Sequence, residues 1–259
     1  MFAIDLNSDI GESFGVYKIG SDEKLINYIT SANIACGLHA GDPIVMNNTI
    51  LIAKNHNVSI GAHPSYPDLQ GFGRRNMILS VEEIEYFVLY QLGALYAFCR
   101  SNNVELKHVK AHGALYNMAS KDINIAIAVA NAVKKFDDKL IFVGLSNSKL
   151  IEAGERFGLK TAREIFADRM YDENGFLVSR KISGSVIDNI DLVIERAINM
   201  IKYQKATSIN GKIINIKGDT ICIHGDNPKA KDLVEYLREA FKRNNIDILP
   251  LSEIIKWVF

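Results

Sequence analysis

Short apolar runs alternate with longer amphipathic stretches along the whole sequence, and no other feature limits its fold so strongly. The runs read as strands: FAIDLNSDI (2–10), SANIACG (31–37), VSIGAH (58–63), LKHVKAHG (106–113), LIFVGL (140–145), KTAREIFAD (160–168) and TICIHGD (220–226), with IDILPLSE (246–253) near the C-terminus. Helical patterns lie between them. One runs from Pro43 to about Asn55, behind Asp42 as N-cap and with proline in its first turn. Ser80 and Glu83 form a capping box at the head of a long helix near 80–102. Others fall near 120–135, 147–157, 187–204 and 228–244. Two Asn-Gly pairs, at 174–175 and 210–211, read as hairpin turns added to this scaffold. Strand–helix alternation implies a parallel sheet, because each helix must carry the chain back across it. Seven or eight such units with continuously apolar strands predict a closed, TIM-like β/α barrel, one domain over residues 1–259.

Composition narrows the partners. Thirty basic and thirty acidic residues leave no net charge, which argues against nucleic acid and against an anionic membrane surface. No apolar run is long enough to span a bilayer, and FAIDLNSDI opens the sequence without a signal-peptide pattern, so a cytoplasmic protein is expected. The three cysteines are odd in number and lack metal-ligand spacing, which speaks against a disulfide framework. Neither a G-x-x-x-x-G-K-[ST] loop nor a GxGxxG after the first strand is present, so no P-loop or Rossmann nucleotide site is expected.

Almost every predicted strand ends in chemically capable side chains. The first supplies Asn7, Asp9 and Glu12, the second leads into His39, and the third ends at His63. The fourth gives Lys110 and His112, the sixth Glu164, Asp168 and Arg169, and the seventh His224 and Asp226. In a parallel β/α barrel all C-terminal strand ends face one mouth, where reactive groups collect. His56 and His108, at a helix end and a strand start, stand apart from that set. GAHPSYPDLQGFGRR (61–75) would lie over the mouth, and it spends three glycines, two prolines and adjacent Arg74 and Arg75 in fifteen positions. Neighbours on an extended segment point to opposite sides, so one arginine is expected to face the rim and the other to face away. A guanidinium there suits a carboxylate or phosphate, although both arginines can equally pair with nearby acids. Asp42 and Asn227 have a sufficient role as helix caps. Glu164 and Asp168 can act as acid and base or pair with Arg163 and Arg169. His39, His63, His112 and His224 with Asp9 suit a divalent metal by donor type, but no HExxH-like spacing supports one.

Six stretches, DLNSDIGESFG, SANIACGLHAGDP, GAHPSYPDLQGFGRR, VKAHGALYN, REIFADRMYDENGFLVSR and ICIHGDNPKA, together resemble the LamB/YcsF family over nearly the whole chain. Ser8, Ala111 and Ser185 depart from the family's commoner cysteine, proline, and alanine or threonine. The resemblance implies a β/α barrel similar to the glycoside hydrolase/deacetylase superfamily. It implies one component of an ATP-dependent 5-oxoprolinase, working with subunits B and C, that opens the 5-oxoproline lactam to L-glutamate with ATP as co-substrate. On that chemistry, ATP phosphorylates the amide oxygen and a positioned water attacks. Asp9 or Glu12 would then orient the water or a cation, His63 and His112 would exchange protons, and Lys110, Arg74 or Arg169 would hold a carboxylate or phosphate. His39, Glu164 and His224 join the catalytic set, and Asn7, Arg75, Asp168 and Asp226 the substrate-binding one. Two alternatives remain: a metal-dependent deacetylase of N-acetylated sugars with Asp9, His63 and another histidine on the ion, or a lactam-binding subunit without chemistry of its own.

Overall fold

A computed structural model describes residues 2–20, 22–223 and 230–258 of the chain. Its strands are β1 (Phe2–Ile10), β2 (Ser31–Ala35), β3 (Ser59–His63), β4 (Leu106–Lys110), β5 (Ile141–Leu145), β6 (Lys160–Ile165), β7 (Lys205–Thr207), β8 (Ile213–Asn215), β9 (Thr220–Ile223) and β10 (Ile246–Ile248). β1 to β6 pair in sequence order, all parallel, and β9 pairs with both β6 and β1. That closes a barrel of seven strands. β10 adds only to the first three residues of β1, and β7 and β8 form a separate antiparallel hairpin.

The helices are α1 (Asp22–Leu25), α2 (Pro43–Asn55), α3 (Val81–Ser101), α4 (Gly113–Ala119), α5 (Ile123–Phe136), α6 (Lys149–Arg156), α7 (Ile190–Tyr203), α8 (Ala230–Arg243) and α9 (Leu251–Ile254). The expected caps are in place. Asp42 accepts from the backbone of Ile44 and Val45, and Ser80 and Glu83 form the reciprocal box. Both Asn-Gly pairs sit in hairpins, with only the glycine in the left-handed region, at φ 84° for Gly175 and 83° for Gly211. None of the described helices is long and apolar enough to cross a membrane.

The strands differ from the continuous apolar runs expected of them. In β1, Ile4, Leu6 and Ile10 join the apolar core, whereas Asp5, Asn7 and Asp9 alternate with them on the other face. The same alternation recurs in β2 with Ser31 and Asn33 and in β4 with His108 and Lys110. The barrel interior is therefore a buried polar stack. At its lower level Asp5 accepts from Thr30, Ser31 and Thr220, and above it Asn33 donates to Asn7 at 2.8 Å while His108 meets Asn33 at 2.9 Å. Burial in low dielectric pushes the Asp5 carboxyl up to about 6 and the His108 imidazole down to about 3. Ile141, Val143 and Ala162 form an apolar patch with Leu251 and Ile255, so the C-terminal segment packs against β5 and β6.

Gly61 in β3 makes room for this stack. A Cβ there would lie 2.1 Å from Nε2 of His108. Gly61→Ala is expected to cost on the order of 1–3 kcal/mol by overpacking. Shortening the ring by His108→Ala should recover part of that loss. In denaturant unfolding, the double variant is expected to be more stable than the sum of the two single effects predicts; simple additivity would contradict the contact.

Candidate active site at the barrel mouth

Side chains from four separate strand ends meet in one small volume. Asp9 lies near the end of β1 and Glu12 just beyond it. His39 sits in the connection from β2 to α2, His63 ends β3, and His112 is the N-cap residue of α4. The His39 and His112 rings stack with centroids 3.8 Å apart and planes within 6°, and His63 meets His112 edge-on at 4.8 Å. His63 Nε2 lies 3.3 Å from Asp9 and 3.0 Å from His112 Nδ1. Glu12 Oε1 is 3.5 Å from both His39 Nε2 and His112 Nδ1.

The glycine-rich loop after β3 holds this group together. Gln91 of α3 grips Ser65 twice, accepting from its N–H at 2.9 Å and donating to its carbonyl at 2.8 Å. His112 donates its backbone N–H to Pro64 at 2.8 Å. Phe72 sits at φ 54°, a strained conformation for a bulky side chain, and Gly73 follows at φ 65°. The bend sets the Phe72 carbonyl 2.9 Å from His112 Nε2 and its ring edge-on to both His39 and His112. At Gly73 a Cβ would come 2.8 Å from the His112 ring and 2.9 Å from His39. The unusual composition of 61–75 is thus used to press backbone against two imidazoles.

Beneath the histidines lies a buried ion cluster. Lys110 Nζ contacts Asp9 at 2.9 Å, Glu164 at 2.8 Å, Asn7 at 3.2 Å and Cys222 at 3.2 Å. Burial alone would lower the Lys110 ammonium, but Asp9 and the groups around it outweigh that and hold it well above the ordinary lysine value. Burial would likewise raise Asp9, yet His63 and Lys110 keep its carboxyl well below the usual range. Glu12 goes the other way, raised chiefly by burial, and burial holds His39 and His112 well below the ordinary imidazole value. At neutral pH Asp9 is an anion and His39 and His112 are neutral.

The expected residues fall into three groups. Asp9, Glu12, His39, His63, Lys110 and His112 converge as described. Asn7 and Glu164 sit deeper: Glu164 is fully buried and takes Asn7, Lys110 and the Tyr116 hydroxyl (2.6 Å) on its two oxygens, so it positions Lys110 rather than meeting solvent. Arg163, its alternative partner by sequence, turns to Asp219 and Glu155. The two loop arginines diverge. Arg74 lines the open cleft and lies over the Phe72 ring at 5.1 Å, whereas Arg75 is 64% exposed at its side chain and bound to Asp68 of its own loop. Arg169 also lines the cleft and donates to the Val178 carbonyl at 2.7 Å; Asp168 is buried beside it. His224 and Asp226 lie outside the described residues. Sequence reasoning passed over Asn33 and set His108 apart, although the signal of both is a polar residue at every second position of an apolar strand. Ser8 donates to the Ile223 carbonyl at 2.7 Å and stitches β1 to β9, away from these groups.

The cleft above the cluster has a volume of ≈ 510 Å³. Arg74, Lys110, Lys121, Arg169, Arg180 and Lys181 line it, against Asp9 as the one lining acid among the described residues. Such a cleft suits a small anion whose reacting centre rests over Asp9 and the histidines.

Removing the ammonium should expose what the ion cluster costs. Lys110→Met leaves Asp9 and Glu164 facing each other without a cation and is expected to destabilise the protein by about 3–5 kcal/mol. Lys110→Met with Glu164→Gln should unfold at higher denaturant than Lys110→Met alone, because one uncompensated charge is gone. Equal midpoints would contradict the pairing.

The chain as a whole is similar to known proteins. The model of the LamB/YcsF family matches residues 4–256. The A component of 5-oxoprolinase from Campylobacter jejuni subsp. jejuni (strain 81-176) is 54% identical over 98% of this chain and 100% of its own length. The protein of the same name from Pyrococcus abyssi is 52% identical over 97% of this chain and 99% of its own. The crystal structure of a lactam utilization protein from Thermus thermophilus superposes with a TM-score of 0.90 at 40% identity, covering 96% of this chain and 99% of the other. With a barrel and a match of this extent, the chain belongs to the LamB/YcsF family.

Proposed function

We propose that this chain is the A component of a cytoplasmic, ATP-dependent 5-oxoprolinase, which works with subunits B and C to open the 5-oxoproline lactam to L-glutamate while ATP becomes ADP and phosphate. The observation that carries this reading is the likeness, at 54% identity and over nearly the full length of both chains, to a protein named as that component of 5-oxoprolinase. The cleft agrees with it. 5-Oxoproline carries a carboxylate, and phosphorylation of its amide oxygen adds a second anionic group, while the cleft wall is strongly basic in a chain of zero net charge.

A lactam is a stabilised amide. Transfer of a phosphoryl group to its oxygen makes the ring carbon electrophilic, water adds to that carbon, and the ring C–N bond breaks as the nitrogen takes a proton. A second water hydrolyses the resulting acyl phosphate to the carboxylate of glutamate and free phosphate. Asp9 suits the orientation of the water: it is an anion at neutral pH, its side chain is 22% exposed toward the cleft, and Lys110 fixes one of its oxygens. Arg74 and Arg169 on the wall suit the carboxylate and the phosphate. Lys110 and Glu164 act through Asp9 as positioning residues.

Glutamate and ADP formation from 5-oxoproline and ATP tests the reading, first with the purified chain alone and then with subunits B and C. Turnover is expected only in the assembly. Full turnover by the single chain would remove the need for partners, and an assembly inert on 5-oxoproline would end the assignment. A second expectation concerns the two arginines. Arg74→Lys keeps the charge but loses the planar fork, and one lost charge-assisted hydrogen bond of about 1.5–3 kcal/mol corresponds to roughly a ten- to hundredfold loss in kcat/KM. Arg75→Lys in the same assembly should stay near wild type, since its partner is Asp68 of its own loop. Equal effects of the two would contradict the inward role of Arg74.

A further inference from the structure

The hydrogen bonds around the three mouth histidines fix which nitrogen of each ring carries its proton. His63 Nδ1 lies 2.7 Å from the Lys110 carbonyl and His112 Nε2 lies 2.9 Å from the Phe72 carbonyl. A carbonyl only accepts, so both of those nitrogens must be N–H. Ser65 Oγ spends its one proton on the Tyr66 carbonyl at 2.8 Å, so it accepts from His39 Nδ1 at 2.9 Å. That leaves His39 Nε2, His63 Nε2 and His112 Nδ1 as the nitrogens turned toward one another, each offering a lone pair when its ring carries a single proton. One ligand atom from each of these histidines and a carboxylate oxygen of Glu12 lie within 4.8 Å of one another.

Four lone pairs facing one another inside a protein are repulsive unless a cation lies between them. His39 Nε2 and Glu12 Oε1 are buried with no hydrogen-bond partner, on residues that are 1% and 8% exposed. An orphaned acceptor of that kind costs on the order of 1–3 kcal/mol. A single proton does not resolve the set. Placed on His63 Nε2 it serves Asp9 or His112 and leaves His39 and Glu12 opposed. Placed on Glu12 it reaches one of two nitrogens, each 3.5 Å away.

A divalent ion satisfies all four at once, and the spacing fits one. Zinc–ligand bonds of about 2.0–2.1 Å in a tetrahedron imply ligand–ligand edges of about 3.3 Å. Three of the six edges are 3.0 Å for His63–His112 and 3.5 Å for both His39–Glu12 and His112–Glu12, and the others stay within 4.8 Å. Three imidazoles and one carboxylate are donors that zinc favours. The groups behind each imidazole, two backbone carbonyls and a serine hydroxyl, are the kind of outer shell that orients metal-bound histidines. His63 and His112 also line the cleft, which leaves a path for the ion from solvent.

We propose that Glu12, His39, His63 and His112 form a binding site for one divalent transition-metal ion of the zinc type at the floor of the cleft. With the ion in place these histidines hold a cation instead of exchanging protons, and Asp9, outside the ligand set, keeps the proton-handling role.

The test uses the full chain, stripped with chelator and titrated with Co²⁺ and then Zn²⁺, independently of any turnover assay. One equivalent of Co²⁺ should give the visible absorption of low-coordinate cobalt, Zn²⁺ should displace it, and Zn²⁺ should raise the thermal unfolding midpoint of the wild-type chain as any native-state ligand does. His39→Gln and Glu12→Gln should each lose more than about a hundredfold in Zn²⁺ affinity. Ser65→Ala, which only frees the His39 ring, should lose about ten- to hundredfold. Far-UV circular dichroism of each metal-free variant separates lost binding from lost fold. A wild-type chain with no saturable uptake would mean that shared protons hold the cluster, and the proposal would fall. It would fall equally if the folded Gln variants bound Zn²⁺ as the wild type does.

Discussion

The ammonium of Lys110 is clasped between Asp9 and Glu164 inside the barrel, and the arrangement of the mouth depends on that contact. A lysine that is 2% exposed is tolerable only with its charge matched and its protons used, and here two carboxylates, an amide oxygen and a sulfur surround it. Glu164 is fixed in turn by Asn7 and Tyr116, and Asn7 by Asn33 and Thr220. The inward positions of β1, β2, β4, β6 and β9 thereby form one network in which each member holds the next. Its top member, Asp9, reaches the cleft. A polar barrel interior is more demanding than an apolar one, because every partner must be present at once. What it gives in exchange is a carboxylate held in place and held ionised.

The loop of residues 61–75 acts on the same site from above. Its anchor is the double hydrogen bond from Gln91 to Ser65, and its sharpest bend is at Phe72 and Gly73. Those two features place a carbonyl against His112 and a serine oxygen against His39. Strain in the backbone at Phe72 is therefore spent on the orientation of an imidazole, the kind of place where strained residues collect. Arg74 follows directly and is carried into the cleft, while Arg75 stays with Asp68.

Much of the scaffold was legible in the sequence, because strand–helix alternation and caps are local signals. β1 and α2 coincide with the expected ranges, and the parallel closed barrel follows from the order of units. The meeting of Asp9, His39, His63 and His112 was legible as well, since a barrel brings strand ends to one rim whatever their separation in sequence. The interior was not. Asn33 and His108 look unexceptional in runs such as SANIACG and LKHVKAHG, and only closure of the barrel turns alternate polar positions into a cluster. Nor did ligand spacing suggest a metal, because spacing rules such as HExxH describe one helix, whereas Glu12, His39, His63 and His112 follow four different strands. Arg74 and Arg75 were separable only in kind: alternation says that two neighbours diverge, but the position of Asp68 decides which one turns away.

The same burial produces opposite protonation at neighbouring groups, and this gives the mouth its polarity. Desolvation disfavours every charge, so an acid goes up and a base goes down unless a partner intervenes. Asp9 has Lys110 and His63 beside it and remains an anion; Glu12, without a lysine in contact, is raised; His39 and His112 stay neutral. The floor of the cleft is therefore rich in lone pairs, while its wall carries arginine and lysine, which only donate. An anionic substrate is drawn by the wall and meets acceptors at the floor.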